Sequence, residues 1–444
     1  MRSRPFVRNA QGKRPYPQRP EVHSVDSAMK RNLEPACPII PDLAHFHRSA
    51  LKRRWPALLP AAAALMVVGS LSAAPYRPTD DGRVLVQLPA PASDPRSRRV
   101  KELRQQLQRE PRRADLAGEL VDLHLARLLV EGDPRDAGYA RATLAPWWND
   151  PAAPPQLRIA RAVLKQFNHD FEGARADLQA VVAQDPDQTQ AWAWIAAIAM
   201  VQADYGRARQ ACEQGTRGLS PLQRTACLAT VAAATGSARA AAQELGQALA
   251  DEPDAPPELR LWALTRLAET QERLGAWDAA EGAYRQALDL GLNDSYLLAA
   301  YADFLLDRGR PAEVITLLQG RERNDLHLLR LALAARALND PRGAGWEASL
   351  AARFDSARLR GASVYQKAEA RFRLALLGDT AGALPLAAAN YTLQREAADA
   401  RMLLQAALAA RRKDAAAPAL DWLARSGFES HSLSALAAQL KALP

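Results

Sequence analysis

Two cysteines and four histidines are the residues beyond position 74 whose side chains most readily do chemistry. Cys212 and Cys227 can form a disulfide in an oxidising compartment, or they can be two small buried thiols. The histidines stand singly in the sequence, at His124, His169, His327 and His431. No HExxH, GxSxG, P-loop or Rossmann stretch accompanies them. The sequence therefore predicts no catalytic, metal or cofactor site, and favours a protein that is not an enzyme.

Nearly all of the formal charge of +9 lies at the start of the chain. Residues 1–54 hold twelve of the 58 basic residues and four of the 49 acidic ones, so the rest of the chain carries only +1. A protein that binds the phosphates of nucleic acid concentrates cations on its folded surface. The charge pattern therefore predicts no nucleic-acid partner. Residues 1–54 are interpreted as a basic, proline-rich, disordered leader.

A targeting signal follows this leader, at residues 55–74. Three basic residues precede an apolar stretch, Ala57–Leu71, and the small residues Ser72, Ala73 and Ala74 follow it. This order predicts an exported protein, periplasmic or secreted. Two alternatives remain: residues 57–74 stay uncleaved as an inner-membrane tether with the repeats in the periplasm, or they are a chance apolar run.

The leader is longer than the basic start of a signal peptide. Either the gene start is misplaced, with Met29 one internal candidate, or the segment is a cytoplasmic tail. Residues 75–99 contain five prolines and are predicted to form an extended tether. Within that tether, residues 84–88 can form a short strand.

A pattern of small and bulky residues recurs about every 34 positions in the centre of the chain. It is clearest in "GAWDAAEGAYRQALDLG", where the spacing of the apolar residues predicts an amphipathic helix. The preceding helices share one alanine column, and a second small column runs through the helices that follow. Small residues at such columns allow two antiparallel helices to approach closely. The columns are Ala162, Ala196, Ala229, Ala268 and Ala302, then Ala174, Ala208, Ala241, Ala280 and Val314.

These columns, the 34-residue period and prolines such as Pro186 and Pro253 resemble the tetratricopeptide repeat (TPR) family. The resemblance implies an all-α solenoid of helix–turn–helix repeats that forms a right-handed superhelix. Clear repeats are predicted at 155–188, 189–221, 222–255, 261–294 and 295–328. Residues 100–154 are predicted to form a divergent first repeat, and residues 329–444 divergent repeats with a capping helix.

The resemblance also implies a groove, lined by the first helices, that binds a protein or peptide partner. Its lining would change from apolar to aromatic and acidic along the array, which suits a partner with apolar anchors and one or more basic residues. The alternative interpretation is that the aromatic residues are buried between repeats and the acids are solvated. The predicted groove residues are Ile159, Val163, Phe167, Met200, Val201, Trp262, Glu269, Glu272, Tyr296, Asp303 and Asp307.

The two cysteines fall on helices that touch in such an array, so the question of a disulfide stays open. Two function classes remain. The first is an exported scaffold that docks a protein partner, in an envelope or assembly complex. The second is an unrecognised enzyme or small-ligand-binding protein built on the helical frame. The sequence identifies neither the partner nor the oligomeric state.

Overall fold

The computed structural model describes residues 94–361 and 364–443, and these residues form only helices, turns and connecting segments. The predicted leader, the signal or anchor segment, and residues 75–93 of the tether lie outside the described residues. The helices are α1 Pro95–Arg109, α2 Ala114–Glu131, α3 Pro134–Thr143, α4 Pro155–Phe167, α5 Phe171–Gln184, α6 Thr189–Val201, α7 Tyr205–Gly215, α8 Pro221–Ala233, α9 Ala238–Asp251, α10 Pro257–Arg273, α11 Trp277–Asp289, α12 Ser295–Asp307, α13 Pro311–Leu318, α14 Asp325–Leu338, α15 Gly343–Leu359, α16 Gln366–Phe372, α17 Thr380–Leu393, α18 Ala397–Ala409, α19 Ala417–Ser426 and α20 His431–Lys441. The predicted all-α class is confirmed for these residues.

Consecutive helices pair as hairpins. The turn between the first and second helix of each hairpin reverses the chain in the same way. The turn residue has a positive φ, between 54° and 84°, at His169, Ala203, Gly236, Gly275, Gly309, Asn339, Gly378 and Arg411. In seven of these turns the next backbone N–H donates to the carbonyl five residues earlier, at 2.8–3.1 Å. This is the bond that closes a helix whose last residue is left-handed. The turn extends the repeat into the divergent region after residue 328.

The alanine columns lie where the sequence places them, at the seam of each hairpin. All five first-helix alanines are at most 5% exposed, and the second-helix column is at most 2% exposed. A buried small residue at a helix crossing lets the two backbones approach, and a larger side chain forces them apart. The described part of the chain is therefore an array of TPR-like helical hairpins.

Overfilling one seam tests this packing. Ala280 is fully buried in α11, whereas its neighbour Ala279 is exposed. We expect Ala280→Leu to lower the free energy of unfolding by about 1–3 kcal/mol, because the added methyl groups meet a closely packed helix. Ala279→Leu adds the same atoms to the surface and is expected to change stability by less than about 0.5 kcal/mol. Equal melting temperatures for the two variants would contradict the placement of Ala280 at a closely packed helix crossing.

Two predicted boundaries are wrong. The tether was expected to extend to residue 99, but α1 begins at Pro95, because the Asp94 side chain accepts from Arg96 N and Ser97 N at 3.2 and 3.0 Å. The repeat predicted to end at residue 328 ends earlier. Asn324 caps α14, which begins at the next residue.

Cys212 on α7 and Cys227 on α8 form a disulfide. The bond joins the second helix of one hairpin to the first helix of the next. Of the two interpretations left open by the sequence, the structure contains the bonded one. Closing a loop of this length stabilises a fold by about 3 kcal/mol in the chain-entropy model.

Candidate partner-binding face

Five of the predicted groove residues meet on one surface of α10 and α12, which we call the acidic face: Glu269, Glu272, Tyr296, Asp303 and Asp307. On each helix the acids lie three or four residues apart, so one face of the helix presents both. The Tyr296 hydroxyl donates to Glu269 Oε1 at 2.6 Å, which links the two helices. The charges of Glu269, Asp303 and Asp307 all act on Glu272. The sequence prediction of an acidic and aromatic patch here therefore corresponds to one physical surface.

Most of these acids are already paired with arginines. Asp303 contacts Arg330 on α14, and its Oδ1 lies 2.7 Å from Arg371 Nη1 on α16. Asp307 receives two bonds from the Arg401 guanidinium on α18, one of them at 2.7 Å. Two of the three arginines belong to helices far along the chain from α12. The C-terminal helices therefore supply the basic groups that were predicted for a partner.

Glu269 forms an ion pair with an arginine and accepts a hydrogen bond from the Tyr296 hydroxyl. Arg266, one turn earlier on α10, lies 3.0 Å from Glu269, and its guanidinium lies 4.7 Å from the centre of the Tyr296 ring. This distance suits a cation–π contact. Tyr296 nevertheless stays 50% exposed. Its ring is therefore an oriented aromatic surface that a partner can reach.

Glu272 is the acid of this face that has no ion pair with any described residue. Its Oε2 accepts one hydrogen bond from the Tyr284 hydroxyl, at 3.0 Å. Burial, together with the smaller effect of the nearby charges of Asp307, Glu269 and Asp303, raises the pKa of Glu272 to about 7, against the lowering effect of the hydrogen bond from Tyr284. The acidic face therefore retains one place where a cation from outside would be stabilised.

The raised pKa of Glu272 makes the stability of the fold depend on pH. In the unfolded chain the carboxyl titrates near 4.5, and in the folded chain near 7, so its stabilising contribution is complete below 4.5 and is lost as the pH rises through 7. We expect Glu272→Gln to stabilise the protein at pH 8.5 by on the order of 2 kcal/mol, allowing for partial exposure. At pH 4 the variant and the wild type should melt together. A difference that stays constant across this range would contradict the shifted pKa.

Three of the predicted groove residues are instead part of the core. Ile159, Val163 and Trp262 are 4%, 7% and 3% exposed. Ile159 and Trp262 belong to the central hydrophobic cluster, and Val163 packs with the residues of α2 and α3. The first helix of a hairpin touches its own partner helix and the adjoining hairpins, so most of its apolar positions are covered. These three residues are therefore not available to a partner in this structure.

The remaining three, Phe167, Met200 and Val201, are half-buried. Phe167 packs at the edge of the N-terminal cluster, and Met200 and Val201 at the edge of the central one. The Val201 carbonyl accepts from Arg395 N at 2.7 Å. The apolar end of the predicted groove is therefore largely engaged by the protein itself.

The C-terminal helices make further contacts with the hairpin turns. The Trp422 indole donates to the Tyr205 hydroxyl at 2.9 Å, and Glu429 Oε2 accepts from Ala238 N, at the start of α9, at 2.6 Å. The Arg273 guanidinium lies 4.3 Å from the centre of the Phe428 ring. These residues were not predicted as functional, and a local sequence pattern offers no signal for contacts about 150 to 220 positions apart.

The described residues contain no group of three or more His, Cys, Asp or Glu that could hold a metal ion. None of the helices within 94–361 and 364–443 is long and apolar enough to cross a membrane. Of the four single histidines, His124 and His327 are buried and bonded to Asp136 and to the Ser295 carbonyl.

Comparison with known proteins gives little beyond this geometry. No protein-family model and no curated protein matches the chain. Among solved structures, "Structure of Naa15/Naa10 bound to HypK-THB" is 15% identical with a TM-score of 0.25, covering 74% of this chain and 65% of that chain. The P58(IPK) TPR domain is 13% identical with a TM-score of 0.20, covering 78% and 92%. The chain thus spans less than two thirds of the length of the first of these. Similarity at this level supports no statement about function.

Proposed function

We propose that this protein is an exported scaffold that binds a protein or peptide partner through the acidic face, as part of a bacterial envelope or assembly complex. The observation that carries the proposal is that Glu272, an acid with no ion pair to any described residue, lies on the same face as the half-exposed ring of Tyr296. Aromatic side chains held in place, with charge beside them, are typical of binding surfaces. No catalysis and no nucleic acid are part of the proposal.

The chemistry of the partner follows from what the face already binds. Arg371 and Arg401 reach Asp303 and Asp307 from neighbouring helices. An arginine or lysine on the partner would pair with Glu272 in the same manner, while an apolar group would cover Tyr296. The partner is therefore a segment with one basic residue close to an apolar one.

Export is supported by two features of different kinds. Residues 55–74 have the order of a signal peptide or anchor. The Cys212–Cys227 disulfide suits an oxidising compartment, because cytosolic thiols are kept reduced. Reduced thiols in protein isolated from native cells, under alkylating conditions, would contradict this location.

A photo-crosslinking amino acid placed at position 296 tests the binding face in the native host. The matched control carries the same amino acid at Gln243, which is exposed on α9 and is not one of the five residues of the acidic face. We expect a discrete adduct at 296 that is absent at 243 and is lost when Glu272→Lys is added. The same adducts at both positions, or none at 296, would overturn the proposal.

The alternative, a small-ligand-binding protein on the same helical frame, is favoured by a separate observation. A polar cavity lies between α1, α2 and α3. It is distinct from the acidic face, which lies on α10 and α12.

A further inference from the structure

The cavity between α1, α2 and α3 has a volume of about 260 Å³. Its lining is almost entirely polar: three arginines, two aspartates, a histidine and a tyrosine surround it, and Val100 is the one aliphatic residue. Small-molecule sites begin near 300 Å³. The space therefore suits a small ligand rather than a peptide, and its lining suits a charged one.

Both aspartates of the cavity are already neutralised. Asp136 is 1% exposed, with Oδ1 lying 2.8 Å from His124 Nδ1 and Oδ2 3.5 Å from Arg127 Nη2. Asp133 caps α3 by accepting from Arg135 N at 3.0 Å, and it pairs with the Arg135 guanidinium. Neither carboxylate therefore has an unmet need for a cation.

Asp136 also sets the protonation of His124. Because Nδ1 faces a carboxylate, it carries the ring proton and donates, which leaves Nε2 as an acceptor. Burial lowers the pKa of His124, so the ring is neutral. The neutral His124 ring, fixed by Asp136, thus presents the Nε2 acceptor to the cavity.

Arg104 is the cation left over. Its Nη2 lies 3.4 Å from His124 Nε2, and its guanidinium lies 4.9 Å from the centre of the Tyr139 ring. Among the residues that the structure describes, no carboxylate pairs with it. A guanidinium has five N–H donors, and the histidine nitrogen uses one of them. Arg104 is exposed, so the ring and the histidine hold it at the rim of the cavity while its other donors face solvent.

We infer that this cavity binds a small oxyanion, a carboxylate or phosphate group, with Arg104 as its main ligand. The planar guanidinium offers two parallel donors to either group. The Tyr139 hydroxyl, which has no partner among the described side chains, is a further donor at the same cavity. Because the cavity lies on α1–α3, a test of anion binding there can fail or succeed independently of the test of partner binding at the acidic face on α10 and α12.

Calorimetric titration of the full chain tests the inference, with inorganic phosphate in one arm and citrate in the other. The test variant is Arg104→Gln. The matched control is Arg98→Gln, which removes the same charge from an exposed position on the same helix. We expect at least one of the two anions to bind the wild type and the control alike, and Arg104→Gln to weaken it about tenfold or more, as for loss of a charged hydrogen bond. The responding arm identifies the ligand as a phosphate or a carboxylate.

Two results would overturn the inference. One is the absence of binding by either anion at concentrations up to about 10 mM. The other is an equal loss in both variants, which would show a diffuse effect of charge. Thermal unfolding of both variants accompanies the titration. Arg104 has no ion pair, so Arg104→Gln should retain the wild-type melting temperature, and loss of binding then reports the site itself.

Discussion

Replacing Asp303 by alanine is expected to lower the free energy of unfolding by about 3–5 kcal/mol. The change leaves Arg330 and Arg371 without their shared acid. Arg330 is the more costly of the two, because its side chain is only 12% exposed and its charge would be left with backbone carbonyls but no counter-charge. The midpoint of chemical denaturation measures the effect.

Asp355→Ala is the matched control for this change. Asp355 pairs with Arg358 on the surface of α15, where both side chains are more than half exposed. Loss of an exposed pair costs less than about 1 kcal/mol. If the two variants unfolded at the same denaturant concentration, Asp303 would not hold α14 and α16 in the manner described.

Replacing Trp262 by alanine should have an effect of similar size, about 3–5 kcal/mol, because a large buried ring is removed and a cavity is left. Trp262 is 3% exposed within the central cluster. Trp262→Phe keeps most of the packing, and the indole N–H makes no hydrogen bond that would be lost. We therefore expect the phenylalanine variant to lie much closer to the wild type in thermal unfolding.

This prediction separates a core residue from a binding residue. Tyr296→Ala removes a ring that is half exposed, so it should cost far less stability than Trp262→Ala while removing part of the acidic face. A Trp262→Ala variant that melts like the wild type would place this side chain on the surface after all. If Trp262→Ala is destabilised as expected, any loss of partner binding by that variant reflects unfolding and not the loss of a contact.

The repeat was predictable from the sequence because it depends on local, periodic features. Columns of alanine mark helix crossings, and Gly275 and Gly309 mark left-handed turns. The same turn at His169, Ala203 and Arg411 gives no such signal, because these residues rarely adopt a positive φ and are held there by the surrounding hairpin. Period and hairpin therefore followed from the sequence, and the exact turn residues did not.

The candidate site was only half predictable, for a different physical reason. The acids of α10 and α12 share a helical face, which spacing alone reveals. Arg371 and Arg401 reach those acids from 68 and 94 residues away, and each looks like an ordinary surface arginine in its own helix. Long-range packing of this kind has no local pattern. Trp262 was predicted to line the groove, but its ring is buried. The position of a residue around a helix does not show which neighbouring helix will cover it.

The contact between Asp307 and Arg401 offers the most direct test of the central claim, that the chain's own C-terminal helices lie against the acidic face. Asp307→Arg and Arg401→Asp should each lower stability by about 1–2 kcal/mol, because each places like charges together. In the double variant the pair is restored with its charges exchanged, and we expect most of the loss to be recovered. Destabilisation of the double variant by the sum of the two single effects would contradict the account.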